Sequence, residues 1–217
     1  MESSYRALVT SFTDFLTVAI HTILYERDLY PRTSFLSARK YNFSVRQNRH
    51  PKVCEWINDA VASVETELLK GTVDYVAVVI CTRENSVVER FMFDVSRFPT
   101  VPFKSIDLPL RRTNDAGEKV AILPTVDMEE QFKANMARLA NCSSHLNPLP
   151  EGCTFAIAIE LKKEADAPIS HSQDWMPLSA QIPGSKISAA QQKQALPLGT
   201  VSAEEMVFET WVEADLM

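Results

Sequence analysis

The side chains best suited to nucleophilic or metal chemistry, the cysteines and histidines, are scattered along this chain. The four cysteines are Cys54, Cys81, Cys142 and Cys153. None belongs to a C-x-x-C pair and all lie in apolar, periodic segments, which is typical of buried reduced thiols and of an intracellular protein. His21 borders the apolar face of a predicted helix and His50 lies at a helix start, so we expect structural roles for both. A hydrolase or transferase with a Cys–His pair stays an alternative, because such partners meet only in the fold.

Carboxylates and glycines likewise form no catalytic or cofactor pattern. Glu129 and Glu130 begin a predicted helix, where carboxylates suit the positive end of the helix dipole. Glu204 and Glu205 precede a strand-like run, where we expect them to be solvated. The chain has five glycines, and none forms a dinucleotide-binding or phosphate-binding loop. We therefore predict no catalytic residue, no metal ligand and no cofactor.

A local cluster of basic residues contrasts with an acidic chain. The formal net charge of −6 disfavours a nucleic-acid footprint over the whole surface. The cluster consists of Arg39, Lys40, Arg46, Arg49 and Lys52. We expect it to be a solvated loop face. The alternative is a direct DNA-binding module, whose affinity would fall steeply with salt.

Three aromatic residues are candidates for binding another molecule. Tyr30 follows the first predicted helix, Trp56 lies on the second, and Trp175 lies in the C-terminal tail. Trp and Tyr are favoured anchors, because they offer a large contact area with little loss of rotamer entropy. The alternatives are ordinary core packing for Trp56 and anchoring of the tail for Trp175.

The N-terminal third of the chain predicts two long helices around a small pair of strands. Apolar residues over 5–24 recur every three or four positions, which predicts a first helix of roughly 25 residues that Pro31 stops. Because charged residues interrupt it, we expect a core helix rather than a membrane span. Residues 34–45 are compatible with two small strands, and a second helix runs from Pro51 to Gly71.

The middle of the chain predicts a sheet and a third helix. Residues 75–81 form a continuous apolar run and residues 87–95 alternate, so together they predict a β-hairpin. The third helix starts near Thr125 or Asp127, and residues 153–161 alternate as a strand. The class is therefore α/β or α+β, with helices against a mostly antiparallel sheet.

Two proline-rich stretches complete the chain. Residues 98–124 contain four prolines and a turn signal, which predicts an exposed insertion. In the tail, residues 164–217, four more prolines and isolated large apolar side chains precede a strand-like run over 205–212. Irregular segments this long are uncommon in compact domains and are usually functional or disordered. Because a disordered tail would not keep Trp175 or end in a strand, we expect the tail to pack back over the domain and enclose another molecule.

Six blocks of the sequence resemble the HORMA-domain accessory subunits of DNA polymerase zeta, in a fungal-like version. The blocks are LTVAIHTILYERDLYP (16–31), ARKYNFSV (38–45), RHPKVCEWINDAV (49–61), VVERFMFDV (87–95), PEGCTFAIAIE (150–160) and LPLGTVSAEEMVFETWVEAD (196–215). They cover most of the chain in the order of that family. The resemblance lapses over 98–124 and is weak through 165–195.

The resemblance implies a single HORMA domain of the α+β class over residues 1–217. Three main helices pack on a mostly antiparallel sheet, within a core of residues 1–163 that includes the exposed insertion. Residues 164–217 form the C-terminal safety belt. HORMA proteins are not enzymes: they bind a short peptide against the sheet edge, and the belt wraps over it.

The resemblance also implies partners and the residues that meet them. In this branch the peptide comes from the catalytic subunit of DNA polymerase zeta and contains prolines. The domain also docks onto the C-terminal domain of the deoxycytidyl-transferase polymerase, the scaffold of translesion synthesis. The expected peptide-binding residues are Tyr30, Trp56, Trp175 and Leu178. The expected interface with the scaffold polymerase consists of Ala195, Leu196, Leu198, Glu209 and Trp211.

The expected role is therefore that of a nuclear adaptor in DNA damage tolerance. It would reach DNA only indirectly, involve no membrane, and allow a dimer of HORMA domains. Within the same fold, the alternative is an adaptor of the mitotic checkpoint or of the meiotic chromosome axis. The choice of partner distinguishes these roles.

Overall fold

The first helix owes its length and position to one broad apolar face. The structure, a computed structural model, describes residues 4–113, 119–121, 126–162, 194–203 and 206–215. Helix α1 (Tyr5–Glu26) has Ser4 as its N-cap, whose Oγ accepts a hydrogen bond from the Ala7 N–H at 3.2 Å. The helix ends at Glu26, before Pro31. Asp28, in the segment between them, adopts a left-handed backbone conformation with φ of 50°. By length and composition α1 could cross a membrane, but 67% of its most apolar window is buried inside the protein, so a core role accounts for its composition.

A β-hairpin and a second helix follow α1. These elements are β1 (Phe35–Lys40), β2 (Phe43–Asn48) and α2 (Pro51–Leu69). Tyr41 and Asn42 join the two antiparallel strands, and both have positive φ, as a two-residue type I′ turn requires. Pro51 occupies the first helical position of α2, where a missing N–H costs nothing. Gly71, at φ of 72°, then turns the chain toward the sheet.

A five-stranded antiparallel sheet forms the other layer of the domain. The remaining elements, in chain order, are β3 (Val73–Cys81), β4 (Val87–Asp94), β5 (Arg111–Thr113), β6 (Lys119–Ala121), α3 (Val126–Leu139), β7 (Thr154–Leu161), β8 (Gln194–Ala203) and β9 (Met206–Ala214). The strand order across the sheet is β7–β3–β4–β9–β8, and every neighbouring pair is antiparallel. Strands β5 and β6 pair with each other as a separate small hairpin. The predicted α+β arrangement, with three main helices against an antiparallel sheet, is confirmed.

Aromatic side chains fill the space between the helices and the sheet. Phe12 and Phe15 of α1 lie at its centre and are fully buried. Phe12 meets Phe208 of β9 edge to face, with ring centroids 5.1 Å apart. Phe15 stacks on Phe132 of α3 at 4.9 Å. Helix α1 is therefore the spine of the domain, as its apolar periodicity predicts.

Residues 98–124 are not wholly an exposed insertion, which corrects the sequence-based prediction. Phe98 and Ile106 are buried, and Phe98 packs edge to face on a core phenylalanine of α1 at 5.3 Å. Phe103 and Leu108 are exposed. Because the buried residues follow no regular period here, their burial leaves no pattern in the sequence.

The tail enters the sheet earlier than the sequence predicts. Residues 194–203 form β8, although this part of the tail was expected to be irregular and the strand to begin near Glu205. Pro197 and Gly199 obscure β8, because both residues are unfavourable within a regular strand. The register with β9 shifts between these two residues, and so the strand is also irregular in the structure.

Tyr41 in the hairpin turn is buried with a hydroxyl that has no hydrogen-bond partner among the described residues. An unpartnered buried hydroxyl loses its bonds to water without replacement. We therefore expect Tyr41→Phe to raise the free energy of unfolding by about 1 to 2 kcal/mol, measured by urea denaturation. Tyr25→Phe is the control and should not be stabilising, since the Tyr25 hydroxyl accepts a hydrogen bond from Arg32 at 3.4 Å. A loss of stability in Tyr41→Phe would contradict the prediction.

His21 is a buried histidine that joins α1 to the β1–β2 hairpin. Its Nδ1 accepts a hydrogen bond from the Asn48 N–H at 3.3 Å, and the side chain is 5% exposed. Burial lowers the pKa of His21 from 6.5 to about 4, because the charged imidazolium is poorly solvated there. The folded state therefore favours the neutral ring.

The pKa of His21 predicts a loss of stability in mild acid. The pKa of His21 is lower in the folded state than in the unfolded state. The contribution of neutral His21 to the free energy of unfolding is therefore fully present above pH 6.5 and is lost as the pH falls toward about 4. The full effect is about 3 kcal/mol at most. Urea unfolding at a series of pH values should show this loss, and His21→Gln should reduce it. An identical pH dependence in that variant would rule out His21 as the source.

Candidate functional site

The outer edge of β7 is an exposed margin of the main sheet. Within the described residues β7 pairs with β3 alone, so its second row of backbone N–H and C=O groups faces away from the sheet. Phe155, Ile157 and Ile159 of β7 are partly buried and pack against the core. An edge strand of this kind can accept another strand through main-chain hydrogen bonds, while nearby side-chain pockets select its sequence.

Three aromatic side chains gather at this edge. Trp56 of α2 meets Phe155 edge to face at 4.9 Å, and Tyr30 meets the same ring at 6.4 Å. All three are partly exposed, so each has a face available to another molecule. Burial raises the pKa of Tyr30. The hydroxyl of a tyrosine is protonated at neutral pH and can donate a hydrogen bond. The structure thus brings together two of the residues that the resemblance implies for peptide binding, Tyr30 and Trp56.

Phe155 is the member of this cluster that sequence reasoning did not select. Its signal is the alternation of β7, which identifies Phe155 as a residue facing the helices. That pattern alone does not distinguish a core residue from a residue at an exposed edge of the sheet. The distinction requires knowing that β7 is an edge strand, which is a property of the topology.

A buried ion pair holds the end of α1 beside this edge. Arg27 donates from Nε to Glu89 Oε2 at 2.9 Å and from Nη2 to Glu89 Oε1 at 2.6 Å. Its Nη2 also donates to the carbonyl oxygen of Asn147 at 2.6 Å, in the loop before β7. Both partners of the pair are nearly inaccessible to water. The end of α1, strand β4 and the approach to β7 are therefore fixed to one another three residues before Tyr30.

The opposite edge of the sheet, β8, is covered by α3. Gln131 forms two hydrogen bonds with the backbone of Ser202. Its Oε1 accepts from the Ser202 N–H at 2.5 Å, and its Nε2 donates to the Ser202 carbonyl oxygen at 2.9 Å. Arg138 Nη1 donates to the carbonyl oxygen of Leu198 at 3.0 Å. These bonds occupy backbone groups that an added strand would need. The two edges of the sheet therefore differ in their capacity to accept a partner strand.

The outer face of the sheet carries three residues of the expected scaffold interface. Glu209 and Trp211 flank Thr210, whose hydroxyl is bonded to Asn135 of α3 at 2.8 Å, so they point away from the helices. Trp211 Nε1 donates to Glu213 at 3.1 Å. Ala195 lies opposite Glu213 on the neighbouring strand and so shares this face. A patch of Ala195, Glu209 and Trp211 on one surface is therefore available to a partner.

Leu196 and Leu198 lie on the other side of this sheet. Leu196 is opposite Val212, which faces the helices, and its side chain is partly buried against the core. Leu198 is 4% exposed. The expectation that Leu198 faces a partner is thus corrected, because its side chain contributes to the core. The two tail residues expected at the peptide, Trp175 and Leu178, lie outside the described residues.

The thiols do not form an evident reactive centre within the described part of the chain. Cys142 is buried, and burial raises the pKa of its thiol to about 12. Burial also raises the pKa of Cys153. A raised thiol pKa lowers the fraction of nucleophilic thiolate. The Cys54 thiol donates a hydrogen bond to the carbonyl oxygen of Asn48 at 2.9 Å. Three of the cysteines are only partly buried: Cys54, Cys81 and Cys153. The expectation that all four are buried is thus corrected.

Comparison with known proteins places this fold and sequence in one family. The family described as HORMA domain matches residues 9–204. The chain is 32% identical over 213 residues to the DNA polymerase zeta processivity subunit of Schizosaccharomyces pombe, which covers 97% of this chain and 94% of that protein. It is 27% identical over 200 residues to the mitotic spindle assembly checkpoint protein MAD2B of Danio rerio, covering 92% and 87%.

A solved structure shares the fold. The C. elegans protein HTP-1, bound to the HIM-3 closure motif, matches with a TM-score of 0.69 at 13% identity, over 100% of this chain and 94% of that chain. At this identity the match supports the architecture alone. The chain therefore belongs to the HORMA domain family, in the branch of the DNA polymerase zeta processivity subunits.

Proposed function

We propose that this protein is a non-catalytic adaptor that holds an extended peptide along the outer edge of β7. The peptide is a proline-containing segment of the catalytic subunit of DNA polymerase zeta. The adaptor works in the nucleus, in DNA damage tolerance, and DNA is reached through its partners. The relative from S. pombe, which is named as a processivity subunit of that polymerase, supports this assignment.

The difference between the two sheet edges is the observation that carries the proposal. Gln131 and Arg138 occupy backbone groups of β8, whereas the outer row of β7 has no partner strand in the described part of the chain. A peptide strand on β7 would gain main-chain hydrogen bonds, and Trp56, Tyr30 and Phe155 would contact its side chains. The HTP-1 structure, which holds a closure motif, is consistent with peptide capture by this fold.

The tail, residues 164–217, closes over the captured peptide in this proposal. Ordering a belt costs on the order of 1 to 2 kcal/mol per backbone residue fixed. Burial of apolar surface by peptide and belt together, at about 25 cal/mol per Å², offsets that cost. Trp175 and Leu178 are proposed to supply part of this surface, while the β8–β9 hairpin anchors the end of the belt to the sheet.

The outer face of the sheet is proposed to meet the C-terminal domain of the deoxycytidyl-transferase polymerase. Ala195, Glu209 and Trp211 form the contact surface. Glu209 pairs with Arg97 at 2.5 Å and Trp211 is fixed by Glu213, so both side chains are oriented before a partner arrives. Preorganised side chains lose less entropy on binding.

Adaptor function in the mitotic checkpoint is the second candidate, because the relative from Danio rerio is named as a spindle checkpoint protein. Co-purification from the native host, with partners identified by mass spectrometry, separates the two. Recovery of a B-family polymerase supports the proposal. Recovery of a checkpoint protein or a chromosome-axis protein in its place would overturn it.

A further inference from the structure

The β1–β2 hairpin and the start of α2 carry a concentrated positive charge. Residues 29–54 contain six lysines and arginines and no aspartate or glutamate. Since the whole chain carries −6, the rest of it carries −12. All six cations are exposed. Because this positive charge is concentrated on one segment, the hairpin is the part of the surface most suited to attract a polyanion.

The hairpin register places basic and hydroxyl side chains on one face. Ser37 lies opposite Arg46, and Arg39 lies opposite Ser44. Because side chains alternate along a strand, these four residues share a face, which we term the basic face. The face borders an open depression of about 530 Å³, lined by Ser37, Ala38, Arg39, Asn42 and Ser44.

Most of the nearby cations are not neutralised by carboxylates. Two of the six, Arg32 and Lys40, form exposed ion pairs, with Asp28 and Asp14 respectively. The other four, Arg39, Arg46, Arg49 and Lys52, form no ion pair in the described part of the chain. Arg39 donates to the amide oxygen of Asn42.

Arg46 has an aromatic partner and one acidic neighbour. Its guanidinium lies over the Tyr25 ring at 5.0 Å. Glu26, partly buried at the end of α1, also interacts with it electrostatically. A cation held against a ring keeps its charge and its donors, and so it can still bind an anion.

The hairpin is held firmly enough to present this face. Tyr41, at its turn, packs on Phe132 of α3 at 5.0 Å and on Phe15 of α1 at 6.4 Å. The turn is thus anchored to two helices of the core. Basic side chains on an anchored ribbon lose less conformational freedom on binding than those on a mobile tail.

We propose that the basic face, with Arg49 and Lys52, binds the sugar–phosphate backbone of nucleic acid directly. Arginine, lysine, serine and asparagine are the side chains that contact phosphates, and all four types meet here. The depression contains no large apolar residue, which distinguishes it from the centre of a protein–protein interface. The contact is independent of sequence, and it adds a direct contact with DNA or RNA to the partner-mediated one proposed above.

Fluorescence anisotropy with the full chain tests this proposal. The probes are a labelled duplex and a labelled single strand of about 20 nucleotides, titrated between about 50 and 200 mM salt. With four phosphate contacts, the slope of log K against log salt should be about −3.6 for duplex and about −2.8 for single strand. The form of nucleic acid that binds more tightly at the same salt concentration is the form that the face prefers. No binding at the lowest salt would overturn the proposal.

A pair of matched variants locates the binding surface. Arg39→Glu with Arg46→Glu should weaken binding at least tenfold and reduce the slope by about 2, because two phosphate contacts are lost. Arg83→Glu with Lys104→Glu makes the same change of charge at exposed positions elsewhere and should have little effect. Equal weakening by both pairs would overturn the proposal, as would equal displacement of the nucleic acid by polyglutamate of the same charge.

Discussion

Glu89→Ala is expected to lower the free energy of unfolding by about 3 to 5 kcal/mol, because it leaves a buried guanidinium without its counter-charge. Arg27 and Glu89 are joined by two hydrogen bonds and are only 5% and 3% exposed. Since domains of this size are stable by about 5 to 15 kcal/mol, the variant should be close to unfolded at moderate temperature. Guanidinium and thermal denaturation measure the loss.

Removal of both charges is the control for this prediction. Arg27→Met with Glu89→Leu replaces the pair by apolar side chains and should recover much of the lost stability. Recovery is expected to be incomplete, because the carbonyl oxygen of Asn147 loses the donor that Arg27 provides. If the double variant is as unstable as Glu89→Ala, packing rather than unpaired charge explains the loss.

Trp56→Ala is expected to weaken capture of the proline-containing peptide by roughly 30-fold to 100-fold, in line with the loss of a binding hot spot. The indole lies edge to face on Phe155 at 4.9 Å, beside the open edge of β7. The substitution removes the side chain that would cover the peptide and loosens the ring beneath it. Isothermal titration with a peptide from the catalytic subunit measures the affinity.

Two variants separate binding from folding in that experiment. Leu36→Ala removes an exposed apolar side chain from the β1–β2 hairpin and should leave the affinity unchanged. Trp56→Phe keeps an aromatic ring against Phe155 and should bind with intermediate affinity. Thermal denaturation of each variant shows whether the fold is retained. Unchanged affinity in a folded Trp56→Ala protein would place the peptide elsewhere.

The parts of the fold with a strong local period could be predicted from the sequence. α1 and α2 have apolar residues at helical spacing, and β7 alternates along its whole length. In contrast, β8 contains Pro197 and Gly199 and has no such pattern. The burial of Phe98 could not be predicted either, because the apolar residues around it follow neither a helical nor a strand period.

The candidate site depends on contacts that no local pattern records. Tyr30 and Trp56 are implied by the family resemblance, but their shared contact with Phe155 depends on β7 lying beside α2 and beside the segment that follows α1. Arg27 and Glu89 are 62 positions apart and each looks like a surface residue in the sequence. Pairing across such a distance is a property of the assembled chain, and it supplies the rigidity of the site.

The caps that Gln131 and Arg138 place on β8 also bear on stoichiometry. A sheet with two receptive margins could pair with a further copy at each end and grow into a fibre. Here the described residues leave one edge strand, β7, without such side-chain hydrogen bonds. Once a peptide or a second molecule pairs with β7, no such edge remains. Assembly by strand addition would therefore stop at a closed complex of two partners.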